Sequence, residues 1–174
     1  PSNVKFVTTY NGKVIKPKNY SQYHYNFNST ALPSYYNSAD LGYVTSIKNQ
    51  LDGGNCWAFA PLATLESCIL KAGGPSLDLS EENMKNIASL YSRYGWNFDT
   101  NEGGYDDQAL GYLVSWLGPV LEKSDVYDPI SVLSPAMNGI MHVQNVKYLK
   151  RNSISDNGGI KRAIMDYGAV STSL

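Results

Sequence analysis

A chain of 174 residues, 43% apolar and 17% charged, is long enough for one globular domain with a real core. Its formal charge of −1 and pI near 6.1 leave no basic excess to hold a phosphate backbone, which argues against nucleic acid as a partner. No apolar run approaches the roughly 18 residues of a membrane span, and Pro1-Ser2-Asn3 lacks the basic and apolar regions of a signal peptide.

Residues 1–31 form a first, separate segment. Asn11-Gly12 sits between the β-prone runs Val4 to Tyr10 and Lys13 to Ile15, the arrangement of a hairpin turn. This segment reads as a propeptide remnant or the tail of a preceding domain. Residues 32–174 are expected to form the main domain. From Leu32-Pro33 to Asn49 the chain is expected to be extended, and Gln50-Leu51-Asp52-Gly53-Gly54-Asn55 makes a turn-rich approach to Cys56.

From Cys56 to Lys71, apolar residues cover most of a helical surface, which predicts a buried central helix ended by Gly73-Gly74-Pro75. Pro61 falls beyond its first turn and predicts a local kink. Ser80 is a good N-cap for a second helix running to about Tyr91, and a third spans Tyr105 or Asp106 to about Trp116, stopped by Gly118-Pro119. Residues 125–140 read as loop. Val143 to Lys150 alternates like a strand, Gly159 to Tyr167 like a fourth helix, and Ala169 to Leu174 like the start of a strand.

The two cysteines differ in setting. On one helix, twelve residues apart, they would be separated by roughly 18 Å and could not pair. Cys68 lies among Leu65, Ile69 and Leu70 and is expected to pack in the core. Cys56 stands at a helix N-terminus, where the dipole and free N–H groups favour the thiolate, the nucleophilic form of the side chain. The glycines before it permit close approach of a substrate backbone, and the Gln50 amide, six residues upstream, could face a developing oxyanion beside the Cys56 N–H.

Asn49-Gln50, Gly54 and Cys56-Trp57-Ala58-Phe59 together resemble the active-site segment of papain-like cysteine peptidases. The resemblance covers about residues 32–174. It takes in Leu79-Ser80-Glu81-Glu82, the paired glycines of Asn101-Glu102-Gly103-Gly104, and Ile160 to Ser171. Tyr94-Gly95-Trp96-Asn97 and Gly111 to Lys123 are similar to clostridial cell-wall cysteine peptidases, which implies a secreted or cell-surface prokaryotic enzyme. The resemblance implies an α+β two-lobe fold, with the helical first lobe nearly complete and the β lobe only begun. It also implies that Cys56 is the nucleophile, that Gln50 serves the oxyanion hole, and that Gly54, Trp57, Gly103 and Gly104 bind substrate. A peptide or protein is the implied substrate, with no metal and no organic cofactor.

The chain departs from this family in two ways. The histidine and asparagine that complete the catalytic set should follow the strand begun at Ala169, so the chain is expected to stop before them and to be inactive alone. His24 and His142 are expected to be ordinary histidines. Gly53 and Asn101 or Thr100 stand where the family usually carries cysteines. Glu66, Glu81, Glu82, Asp106 and Asp107 are expected on solvated faces or in helix first turns. The alternative from another class is a peptidase-like surface binding or scaffold protein without activity.

Overall fold

The computed structural model describes the backbone of Thr8–Tyr10 and Lys13–Ile15 together with residues 31–149 and 151–172. The expected hairpin is present as β1 (Thr8–Tyr10) and β2 (Lys13–Ile15), antiparallel with Tyr10 opposite Lys13. Val4 to Val7 and the Asn11-Gly12 turn lie outside the described residues.

Helix α1 spans Cys56–Lys71 and α2 spans Glu81–Ile87. Helix α3 spans Asp106–Val114, and α4 spans Gly158–Tyr167 after a single 3-10 turn at Glu122–Ser124. The first helix is the hub, with α2, α3 and α4 packed around it. Trp57, Ala58 and Leu62 of α1 meet Met84 and Ile87 of α2 and Ala109, Tyr112 and Leu113 of α3 in one apolar core. Fully burying a side chain such as Leu62 contributes about 1.5–3 kcal/mol. Pro61 is buried within α1, which runs through it from Cys56 to Lys71.

Several helix ends differ from the sequence reading. Helix α2 stops at Ile87, not near Tyr91, because the chain folds back on it: Trp96 N–H donates to Ala88 O (2.9 Å) and Leu90 N–H to Phe98 O (2.9 Å). Gly95 crosses so close to Ser89 that a Cβ would lie 1.9 Å from the Ser89 carbonyl oxygen. Helix α3 ends at Val114, before Gly118-Pro119 is reached. Trp116 takes a left-handed conformation (φ 62°), while Leu117 N–H reaches Tyr112 O and Trp116 N–H reaches Leu113 O. That pair of bonds is a Schellman cap with tryptophan where glycine is usual, and the Trp116 ring stacks on His142 at 4.2 Å.

The strands expected at Val143 to Lys150 and from Ala169 are not formed among the described residues, because no neighbouring strand pairs with either segment there. Ala169 instead bonds to α1, its N–H donating to Ser67 Oγ (3.0 Å). No helix of the described residues is long and apolar enough to cross a membrane.

The largest correction concerns charge. Glu81 and Glu82 stand in the first turn of α2, one of the two expected settings, but they and Glu66 are buried, as is every residue of α2, and not on solvated faces. Each carboxylate is partnered, as burial of an ion demands. Glu66 accepts from Leu79 N–H (2.7 Å) and the Thr45 hydroxyl. Glu81 takes Lys48 Nζ on both oxygens (2.9 and 3.0 Å). Glu82 receives Lys85 Nζ, Asn86 Nδ2 and Asp128 N–H. Asp106 is half-buried and Asp107 exposed, both in the first turn of α3.

Two outcomes are expected from this buried charge. Lys85 is completely buried beside Glu82, so Lys85→Ala leaves an uncompensated carboxylate and lowers unfolding stability by roughly 3–5 kcal/mol in urea titrations. Burial raises the Glu81 carboxyl from 4.5 to about 7, against the opposing pull of Lys48. The folded chain then binds a proton that the unfolded chain does not between those two values. Glu81's contribution to stability therefore grows as pH falls from 7 towards 4.5. Measured against Glu81→Gln, the wild type should gain relative stability across that window and show no such change above it.

Candidate active site

Cys56 is the first residue of α1 and is exposed, although its neighbours Trp57 and Ala58 are buried. The helix opens from Asn55, whose carbonyl accepts Ala58 N–H (2.8 Å) and Phe59 N–H (3.2 Å). No side chain caps this end. Asparagine is among the best capping residues, yet the Asn55 carboxamide is turned away, its Nδ2 donating to Asn101 Oδ1 (3.0 Å) and Tyr127 Oη (2.8 Å). Of the first-turn N–H groups, that of Ala58 is taken by the Asn55 carbonyl, and the Asn55 side chain takes neither that of Cys56 nor that of Trp57.

Gln50 is half-buried, and its Nε2 donates to Gly53 O (2.9 Å). A primary amide carries two N–H bonds, so one is held by the turn and the other is free to donate. The turn is shaped by Leu51, which has φ 52° and whose N–H donates to Asn49 Oδ1 (2.8 Å).

Gly54 is laced to the segment that carries the paired glycines. Its N–H donates to Asn101 O (3.1 Å), and Gly54 bridges Glu102 in parallel. A Cβ on Gly54 would lie 2.5 Å from Asn101 O and 2.7 Å from Gly103 N, so the approach requires glycine. Gly103 has a left-handed φ of 89°. Gly104 lies against the buried Trp57 indole, which a Cβ there would meet at 2.6 Å. Trp57 thus supports the glycine segment from beneath. Gln50, Gly54 and Cys56 belong to one short run, and the bridge brings Gly103 and Gly104 to it.

Cys68 is half-buried, with Sγ 3.9 Å from Ala169 O, so it packs against the segment after α4 and not in the central core. Burial pushes its thiol pKa up. His142 is exposed on a loop, stacked on Trp116. His24 lies outside the described residues. Among the described residues no cluster of three His, Cys, Asp or Glu could hold a metal ion.

Sequence reasoning did not single out Asn55 and Tyr127. Asn55 was visible only as a neighbour of Cys56. Tyr127 reaches the site from far along the chain, from a loop whose periodicity carries no signal. In the structure its hydroxyl donates to Gln50 O (2.8 Å) and its ring meets Phe59 edge to face at 5.0 Å.

Residues 32–174 match the family described as papain family cysteine protease. Mouse cathepsin K is 28% identical over 134 residues, 76% of this chain and 38% of that protein. Peptidase 1 of Psoroptes ovis is 53% identical over 51 residues, 29% of this chain and 16% of that protein. Among solved structures, the cysteine protease and lectin-like domains of Cwp84, a surface layer associated protein of Clostridium difficile, superpose with a TM-score of 0.65 at 33% identity. That match covers 78% of this chain and 31% of the other. The chain thus spans well under half the length of these relatives. With the helical lobe, the glycine-laced turn and the family match over residues 32–174 in agreement, the chain belongs to the papain family of cysteine proteases, with that family's α+β fold.

Proposed function

We propose that the protein carrying this chain is a cysteine-type endopeptidase with Cys56 as its nucleophile. The observation that carries this reading is the position of Cys56: an exposed thiol on the first residue of a helix whose N-terminus no side chain caps and whose next two residues are buried. The thiolate attacks the scissile carbonyl carbon. The carbonyl oxygen becomes an oxyanion, which the Cys56 N–H and the second N–H of the Gln50 amide receive. Gly54, Gly103 and Gly104, narrowed by their mutual approach, bind the substrate backbone, and Trp57 holds the floor under Gly104. An imidazole from outside these 174 residues takes the thiol proton and returns it to the leaving amine, with an asparagine orienting it. No metal or organic cofactor enters this scheme.

The relation to Cwp84 supports a secreted or cell-surface setting for a prokaryotic enzyme, because that protein is described as surface layer associated. Residues 1–31 precede the matched region and are read as a propeptide remnant or the tail of a preceding domain. The recombinant stem bromelain precursor, 25% identical with a TM-score of 0.60, supports a precursor form.

In the full-length protein, Cys56→Ala is expected to lower peptide hydrolysis by more than about 10³-fold while leaving the unfolding midpoint near that of the wild type. Retained hydrolysis would exclude Cys56 as nucleophile. Iodoacetamide at neutral pH should modify Cys56 at least about tenfold faster than Cys68, because one thiol is open and the other is half-buried with its ionisation suppressed. Peptide mass spectrometry reads both sites at once. Equal labelling together with an inert full-length protein would favour the binding or scaffold reading.

A further inference from the structure

The Gln50 turn and the Asn101 to Gly104 segment must keep a fixed separation if one is to hold the oxyanion and the other the substrate. No disulfide joins them, since both cysteines of the chain are free. The volume next to Gly53 is nevertheless filled. A Cβ built on Gly53 would lie 2.5 Å from Asn55 Nδ2 and 2.6 Å from Tyr127 Oη. The two polar groups that crowd this glycine are also the ones that link the segments.

We infer that Asn55 and Tyr127 form a hydrogen-bonded brace that positions the oxyanion-binding turn, with Gly53 as the gap that admits it. This rests on the peptidase reading above. Tyr127 Oη donates to the Gln50 carbonyl (2.8 Å) and accepts from Asn55 Nδ2 (2.8 Å), and the same Asn55 nitrogen donates to Asn101 Oδ1 (3.0 Å). The Asn55 carboxamide is thereby turned away from the helix N-terminus, where an N-cap side chain would accept from the Trp57 or Ala58 N–H. Tyr127 is itself fixed by its N–H to Glu122 Oε1 (2.9 Å) and by its ring against Phe59. Neither Asn55 nor Tyr127 touches substrate in this scheme. They are positioning residues, acting through the Gln50 carbonyl and Asn101.

The test uses the full-length protein. Tyr127→Phe keeps the ring and its contact with Phe59 but removes the hydroxyl. Gly53→Ala attacks the brace from the other side, and the Gly53 backbone lies outside the left-handed region, so alanine adds no backbone strain there. Each variant should lower kcat about tenfold, change KM less than about twofold, and leave the iodoacetamide rate at Cys56 within about twofold of wild type, because alkylation needs no oxyanion hole. The double variant should be no slower than the slower single one, since both break the same brace. Amide hydrogen exchange over residues 50–55 should quicken in both, with no change in α2. Unchanged kcat in both variants overturns the inference, as does a loss in which KM and the alkylation rate move together with kcat. A wild type without turnover overturns the peptidase reading and the catalytic half of this one. Unaltered exchange over residues 50–55 overturns the brace itself, so the two failures are told apart.

Discussion

A helix reading Glu-Glu-Asn-Met-Lys-Asn-Ile is buried along its whole length, and most of the surrounding chain is arranged to make that tolerable. Ions and amides removed from water need partners of the right kind at hydrogen-bond distance, or the helix would not remain there. Those partners come from distant parts of the sequence. Lys48 reaches Glu81, Asp78 and the Leu79 carbonyl from the N-terminal side. Asn83 binds Asp125 and Pro135 O and receives Tyr112 Oη, while Asn86 holds Ser134. Residues 125–135, which have no regular secondary structure, are thus fixed by the polar face of α2. The burial of α2 is what gives this loop its place.

The site inherits its geometry from that arrangement. Lys48 stands two residues before Gln50, so its anchorage to Glu81 and Leu79 O sets where the Gln50 turn begins. Burial opposes the charge on Lys48, but Asp78 and Glu81 outweigh it and hold the ammonium charged. Tyr127 belongs to the loop that α2 fixes, and it closes the circuit by returning to the Gln50 carbonyl. One end of the turn is therefore tied through Lys48 and the other through Tyr127. Glycines at 54 and 104 then let backbone and indole come within distances that no side chain would allow.

The helices around Cys56 were legible because their signals are local: a nearly all-apolar run for α1, a Ser N-cap for α2 whose Oγ does accept Asn83 N–H (2.9 Å), and acidic first turns. The first-turn places of Glu81 and Glu82 were legible, but the burial of these two and of Glu66 was not. Their types suit a solvated surface, and only the approach of Lys48, Lys85 and several backbone N–H groups makes burial possible. The end of α2 depended on Gly95 crossing Ser89, a contact between segments that composition does not encode. Tyr127 was illegible in the same sense. A tyrosine in a loop carries no mark of the carbonyl it will reach 77 residues away.

The two sets of polar contacts around the site differ in how they respond to protons. The cluster under α2 contains Glu81, whose carboxyl titrates at about 7, so its charge state changes near neutrality. The contacts that hold the Gln50 turn directly are made by the carboxamides of Asn49, Gln50, Asn55 and Asn101, the Tyr127 phenol and backbone groups. Burial raises the Tyr127 hydroxyl further above its usual range, against the pull of its Asn55 bond, so it remains a donor throughout the pH range in which proteins stay folded. A brace of neutral groups keeps its geometry while the charged scaffold behind it gains and loses protons.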